Sequence, residues 1–288
     1  MAQFPPTDTK EFASSFSRFY IMTISTAPTP PNKAQRQALA QETRRLTPQI
    51  IRSADASTEA IYYSTQLPRR GPTPDARRPR ITVQNSDSFT AARAILGTNP
   101  TAKIGVLNMA SEKHPGGGWL RGALAQEEAL CFRSTLAATL HKRFYPLPVL
   151  GAVWSRNVVV FRDEVAKGAR IYEPVERFTV GVVSLAAIRR PLLTPDKRNF
   201  ARPQDIRTVR DKMRQTLRVL AVNNVTHCVL GAMGCGAFQN PPLQVASLFR
   251  QVLEEGEFMG VFEEIIFAVL DSRGEGNYAI FRDTLQSH

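Results

Sequence analysis

His114-Pro-Gly-Gly-Gly-Trp-Leu-Arg-Gly-Ala-Leu-Ala-Gln-Glu-Glu128 is the stretch on which the reading of this chain turns. Three consecutive glycines, Gly116, Gly117 and Gly118, let a backbone turn tightly and approach a ligand where any Cβ would intrude. Eight residues after Gly118 stand an amide, Gln126, and two adjacent carboxylates, Glu127 and Glu128. Ahead of the loop, Ile104-Gly-Val-Leu-Asn108 is an apolar run that predicts an interior strand. Behind it, the pattern predicts a helix from Gln126 to about Arg143. A glycine loop between strand and helix, edged by acids, suits phosphate and sugar. Acids in a first helical turn also complement the helix dipole, so that structural role stands beside the functional one.

Outward from this loop the pattern alternates. Strands are predicted at Ile81–Val83, Ile104–Leu107, Val153–Phe161, Phe178–Ser184, Val225–Leu230 and Ile265–Leu270. Helices are predicted at 34–53, Ser88–Leu96, Ile206–Val222 and Pro242–Glu255. In the first of these the apolar positions are Ala38, Leu39, Leu46 and Ile50, with Pro48 near its end. Such alternation predicts an α/β fold with a mixed, mostly parallel sheet and strand-end loops gathered on one edge, where ligands bind.

A second glycine loop, Leu230-Gly-Ala-Met-Gly-Cys-Gly-Ala-Phe-Gln-Asn-Pro-Pro242, also joins a strand to a helix. Gly231, Gly234 and Gly236 permit a run of amides to face an anion. It has neither the spacing of a dinucleotide fingerprint nor a Lys-Ser/Thr ending. Phe238 at its end reads as a stacking surface for a sugar or base, or as an ordinary core side chain. Asp87, where a strand gives way to a helix, reads as an N-cap or as an acceptor for an exocyclic amine such as adenine N6. Two cradles for phosphate, an acid for a base and a glutamate pair for a ribose together fit a nucleoside diphosphate sugar.

The 37 Lys and Arg against 25 Asp and Glu give a net charge of +12 and a pI near 10.1, which points to an anionic partner. Residues 189–218 hold ten Lys or Arg against three Asp, and 66–80 hold five Arg and four Pro. The first reads as a solvated helix face or as a track for a phosphate-bearing polymer; the second reads as a basic surface loop. Direct nucleic-acid binding has charge in its favour but no aromatic-interleaved RNA motif and no DNA-reading helix. Cys131, Cys228 and Cys235 have no paired spacing and form no zinc pattern, so reduced thiols in an intracellular compartment, nuclear or cytoplasmic, are expected. No apolar run approaches the roughly 20 residues that span a bilayer. The Pro-, Thr- and Ser-rich residues 1–33 read as a flexible leader.

Asp87, Val106-Leu-Asn108, Gly116-Gly-Gly118, Gln126-Glu-Glu128 and Gly231-Ala-Met-Gly-Cys-Gly-Ala-Phe238 resemble the microbial-type poly(ADP-ribose) glycohydrolases, from about Ala34 to Phe281. The resemblance implies a macrodomain, a three-layer α/β/α fold, over 81–288, with residues 34–80 as a helical extension and basic loop packed on it. It implies hydrolysis of ribose–ribose O-glycosidic bonds in poly(ADP-ribose) to release ADP-ribose, in a DNA-damage-response setting. Glu128 would be the catalytic acid/base, and Glu127 would hold ribose hydroxyls. Gln126 and Asn108 would shape the pocket. The 116–118 loop and Gly231, Ala232, Gly234, Cys235, Gly236 and Ala237 would bind the diphosphate. Asp87 would meet adenine and Phe238 the terminal ribose. No metal and no cofactor are implied. The partners would be poly(ADP-ribose), ADP-ribose and poly(ADP-ribosyl)ated proteins, with the enzyme a monomer. The alternatives are an ADP-ribose-binding macrodomain without catalysis and a hydrolase of mono-ADP-ribosylated proteins.

Overall fold

The computed structural model describes residues 30–54, 56–72, 77–272 and 274–286. The leader expected over 1–33 therefore lies outside the described residues as far as residue 29. Seven strands form one sheet: β1 (Ala60–Tyr63), β2 (Arg80–Gln84), β3 (Ile104–Met109), β4 (Ala152–Val160), β5 (Phe178–Leu185), β6 (His227–Leu230) and β7 (Glu264–Ala268). Their order is β1-β4-β5-β3-β6-β7-β2. The pairs from β5 through β3, β6 and β7 to β2 are parallel, and β4 and β1 close one side antiparallel. The sheet is thus mixed and mostly parallel, and the fold is α/β as expected.

Helices cover both faces because the interior strands are apolar on both sides. In β3, Leu107 points into the cluster with Met213, Leu217 and Phe249, whereas Val106 points into the cluster with Phe89, Phe132 and Leu136. The first face is packed by α4 (Pro203–Val222), α5 (Pro242–Leu253) and α6 (Asn277–Gln286). The second is packed by α2 (Ser88–Thr98) and α3 (Gln126–Arg133), with α1 (Lys33–Ser53) laid against α3.

α1 begins with a capping box in which Asn32 and Gln35 exchange side-chain-to-backbone bonds. Of the expected apolar positions Ile50 is buried and Leu39 and Leu46 pack half-buried against the core, whereas Ala38 is exposed; Ala40, Thr43 and Thr47 complete the buried face. Thr43 sits inward because its Oγ1 donates to the Phe132 carbonyl (2.9 Å). Residues 34–80 also add β1 to the central sheet, so the extension and the core share one set of backbone hydrogen bonds.

The helix expected over Gln126–Arg143 ends at Arg133. Ser134 is extended (φ −149°, ψ 178°) and bridges Val160, and the Thr135 amide donates to the Val159 carbonyl. The edge of β4 competes for this backbone and takes it. Leu136, Leu140 and Phe144 keep helical spacing and are buried, yet they sit on short 3₁₀ turns and intervening loop. β1 and α6 were not legible in the sequence. β1 is four residues long, and α6 buries only Phe281 and Leu285.

Part of the basic character is structural. Arg218 of α4 makes a bidentate pair with Glu257 (2.7 and 2.9 Å), both side chains being buried, and donates to the Leu67 carbonyl (2.8 Å). Glu257 also accepts from the Arg70 amide (3.1 Å), so this pair fastens the 66–72 segment to the core. Glu257→Ala leaves a buried guanidinium uncompensated and is expected to cost about 3–5 kcal/mol in urea unfolding. Replacing both partners with Met and Leu should recover most of that loss, and a double variant as unstable as the single one would argue against the pair as the cause.

Candidate active site

The carboxyl ends of β3 and β6 open into a cleft of about 180 Å³. One wall is the first turn of α3, and the other is the loop after β6.

Gln126 fixes the first wall. Its Nε2 donates to the Leu107 carbonyl (2.7 Å) and to Ser88 Oγ (3.2 Å), and its Oε1 accepts from the Met109 amide (2.9 Å). The start of α3 is thereby tied to the backbone of β3 and to the start of α2. Glu127 follows into the interior and is 4% exposed. Its Oε1 accepts from Asn108 Nδ2 (3.3 Å) and its Oε2 from the Ser111 amide (2.7 Å). Asn108 is itself steadied by donating to Ser184 Oγ (3.0 Å). Glu128 accepts from the Gly118 amide at Oε1 (2.8 Å) and from the Ala125 amide, the helix N-cap, at Oε2 (2.9 Å).

The triple glycine wraps these two acids. Gly117 has φ +61°, and a Cβ there would lie 2.4 Å from Glu128 Oε1 and 2.9 Å from Glu127 Oε2. Glycine is needed because both carboxylates converge on this one point of backbone. The Gly118 amide is committed to Glu128, and the Gly117 amide to the His114 carbonyl. The 116–118 loop, expected as an amide cradle for phosphate, wraps the protein's own carboxylates.

Burial pushes the Glu127 carboxyl up to about 8. The Ser111 amide and Asn108 oppose the rise, and the neighbouring charge of Glu128 adds to it. At neutral pH the pair therefore holds a proton on Glu127.

The second wall runs from Gly231 to Phe238. Asn240 shapes it by donating from Nδ2 to the carbonyls of Ile188 (2.6 Å), Gly234 (3.2 Å) and Phe238 (3.3 Å). Gly234, at φ +76°, could not carry a Cβ without striking Asn240 Nδ2 at 2.5 Å. Ala232, Gly234, Gly236, Ala237 and Phe238 face the cleft. Among the described residues, the amides of Gly234, Gly236, Ala237 and Phe238 donate to no acceptor. Unengaged amides on a glycine turn are the geometry in which backbone can meet an anion. Gly231 and Cys235 do not line the cleft. Cys235 Sγ turns back to the Met233 carbonyl, and burial pushes its thiol well up. Phe238 lines the cleft and, partly buried, packs against the core.

Asp87 lies at the start of α2, outside the cleft lining, next to the Ser88 that Gln126 holds. Its Oδ1 caps the amides of Phe89 (2.8 Å) and Thr90 (3.2 Å) and pairs with buried Arg133, whose guanidinium lies over the Phe89 ring. Every bond that Asp87's carboxylate makes goes to Oδ1, which leaves Oδ2 as an acceptor.

Sequence reasoning missed Ser111, Ser184, Arg133 and Asn240. Ser111 was findable as a residue just past a strand end, and Asn240 stands within the second glycine loop itself; Ser184 and Arg133 meet partners 76 and 46 positions away. Among the described residues no helix is long and apolar enough to cross a membrane, and no three His, Cys, Asp or Glu gather as metal ligands.

The family described as microbial-type PARG, catalytic domain, matches residues 33–163. The fold superimposes on poly(ADP-ribose) glycohydrolase from Thermomonospora curvata with a TM-score of 0.71 and 28% identity, over 87% of this chain and 99% of that one. An inhibitor-bound form of the same enzyme, carrying ADP-HPD, matches with a TM-score of 0.67 and 27% identity, over 86% of this chain and 98% of that one. Poly(ADP-ribose) glycohydrolase from Deinococcus radiodurans, solved in complex with ADP-ribose, matches with a TM-score of 0.63 and 30% identity, over 90% of this chain and 93% of that one. Comparison with curated proteins gives no match. With 30% identity to a relative spanned almost end to end, the chain belongs to the microbial-type poly(ADP-ribose) glycohydrolases.

Proposed function

We propose that this chain hydrolyses the ribose–ribose O-glycosidic bond of poly(ADP-ribose) and releases ADP-ribose, with Glu128 as acid/base and Glu127 as the residue that positions the ribose. One observation carries this reading: two adjacent buried glutamates face, across one cleft, four amides with no acceptor among the described residues. The amides of Gly234, Gly236, Ala237 and Phe238 take the diphosphate. The outer ribose then lies between Phe238 and the glutamates. At the far end, near Ser88 and Gln126, Asp87 Oδ2 accepts from the adenine amine.

Glu127 is anchored by Asn108 and Ser111 at both oxygens and has no freedom to follow a departing group. It orients ribose hydroxyls. Glu128 is held only by amides at the rim of the loop. A bound diphosphate adds negative charge beside the pair, which favours the pair's keeping its one proton, shared between the two adjacent carboxyls. As the bond between the anomeric carbon and the adjoining ribose oxygen breaks, that oxygen takes the proton from Glu128. The cationic sugar left behind is stabilised by the diphosphate. Water then adds to the anomeric carbon and returns a proton to the Glu128 carboxylate. Adjacent residues cannot flank the bond from opposite faces, so one acid/base and one positioning group are the arrangement this pair allows.

The same site carries a mono-ADP-ribosyl link only if a protein side chain can take the place of the leaving ribose. The paired glutamates favour the polymer bond, and a purely reading macrodomain has no use for them.

Glu128→Gln should bind ADP-ribose within a few-fold of the parent while turnover on labelled polymer falls by about 10²–10⁴, the usual contribution of a positioned acid/base. Normal ADP-ribose release by that variant would remove Glu128 from the mechanism. Gly117→Val should also abolish turnover, because its side chain displaces both carboxylates; full activity in that variant would contradict the packing described.

Burial of Glu127 also has a sign in stability. Its folded value lies above its unfolded value of 4.5, so the folded state gains from the bound proton at low pH. That gain is lost as pH rises from about 4.5 through about 8. Melting temperature should fall across this window in the parent and stay flatter in Glu127→Gln. Parallel curves for the two proteins would show that Glu127 is not the buried proton carrier.

A further inference from the structure

The ten cations of residues 189–218 are not alike in their surroundings. On α4, Arg214 pairs with Glu255 and Asp211, and Arg218 pairs with Glu257, facing the protein. The loop between β5 and α4 is different. Arg189, Arg190, Lys197 and Arg202 are exposed and make no ion pair among the described residues.

This loop is built onto the cleft. The Arg189 guanidinium stands 5.6 Å over the Phe238 ring, and the Arg190 amide donates to the Phe238 carbonyl (2.8 Å). Asn240 fastens the Ile188 carbonyl to the same amide group that shapes the glycine wall. An antiparallel bridge from Leu193 to Phe200, with the Ala201 amide on the Leu192 carbonyl, folds the loop back and returns Arg202 towards Arg190. Arg190 (φ +46°), Lys197 (φ +58°) and, across the Phe238 contact, Gln239 (φ +57°) are all in the left-handed region that side chains disfavour. Backbone held in such conformations clusters where geometry serves function.

We infer that this loop is a subsite for the leaving part of the polymer, holding the diphosphate of the first unit beyond the scissile bond. The inference rests on the glycohydrolase reading. In that reading the outer ribose of the bound unit lies against Phe238, so the chain attached to it leaves past the Phe238 rim. The next diphosphate in that direction meets Arg189, Arg190 and Arg202. Guanidinium forks bind phosphate oxygens in pairs. Arg189, stacked on Phe238, couples this contact to the ring beneath the scissile sugar. Free ADP-ribose lacks the leaving unit and does not reach the loop.

The test compares Arg189→Ala/Arg190→Ala with Arg44→Ala/Arg45→Ala, an equal charge loss on exposed residues of α1, in the full chain. The loop variant is expected to raise KM for long poly(ADP-ribose) about tenfold with kcat within about twofold, and to flatten the rise of KM with salt. Its Kd for ADP-ribose should match the parent, which also certifies folding. The α1 variant should match the parent throughout. Arg189→Lys/Arg190→Lys should recover part of the loss. An unchanged KM, an equal rise in both Ala variants, or a parallel loss of ADP-ribose affinity in the loop variant would overturn the subsite. Failure of the parent itself to release ADP-ribose from polymer would instead sink the glycohydrolase reading.

Discussion

Two carboxylates taken out of water side by side at the first turn of α3 are the constraint around which the rest is arranged. Burying one ionised carboxylate without compensation costs several kcal/mol, and a second beside it costs more. The fold meets this by binding a proton on Glu127 and by supplying amide donors from Ser111, Gly118 and Ala125. Those donors exist only because β3 ends, turns and returns through a loop with no side chain at Gly117. The same donors that make burial tolerable also fix the acids within reach of a sugar.

The two glycine loops divide the labour. The loop before α3 turns its Gly118 amide to the protein's own Glu128, whereas four amides of the loop after β6 meet no acceptor among the described residues. A net charge of +12 draws polyanions in general; it does not choose among them. The cleft is more particular in its chemistry: four amides without acceptors among the described residues stand opposite two buried glutamates.

Much of this was legible in the sequence. Apolar runs such as Ile104–Leu107 and Ile265–Leu270 read as buried strands because both their faces meet helices. Gln126, Glu127 and Glu128 read as a site because acids rarely follow a glycine run by chance. What could not be read was competition between elements. Leu136, Leu140 and Phe144 have helical spacing, but the open edge of β4 captures Ser134 and Thr135 first. Nor could the sequence tell which glycine loop holds carboxylates and which is free, since both permit the same backbone. The Asp87–Arg133 pair shows the remaining gap: an N-cap is local, whereas its buried partner comes from 46 positions further along the chain.

The three bonds of Gln126 make the α3 wall continuous with β3 and the start of α2, whereas the opposite wall is bolted through Asn240 Nδ2 and the Arg190 amide to the β5–α4 loop. The cleft is in effect a vice whose jaws are mounted on different parts of the frame, one on the middle of the sheet and one on a surface loop.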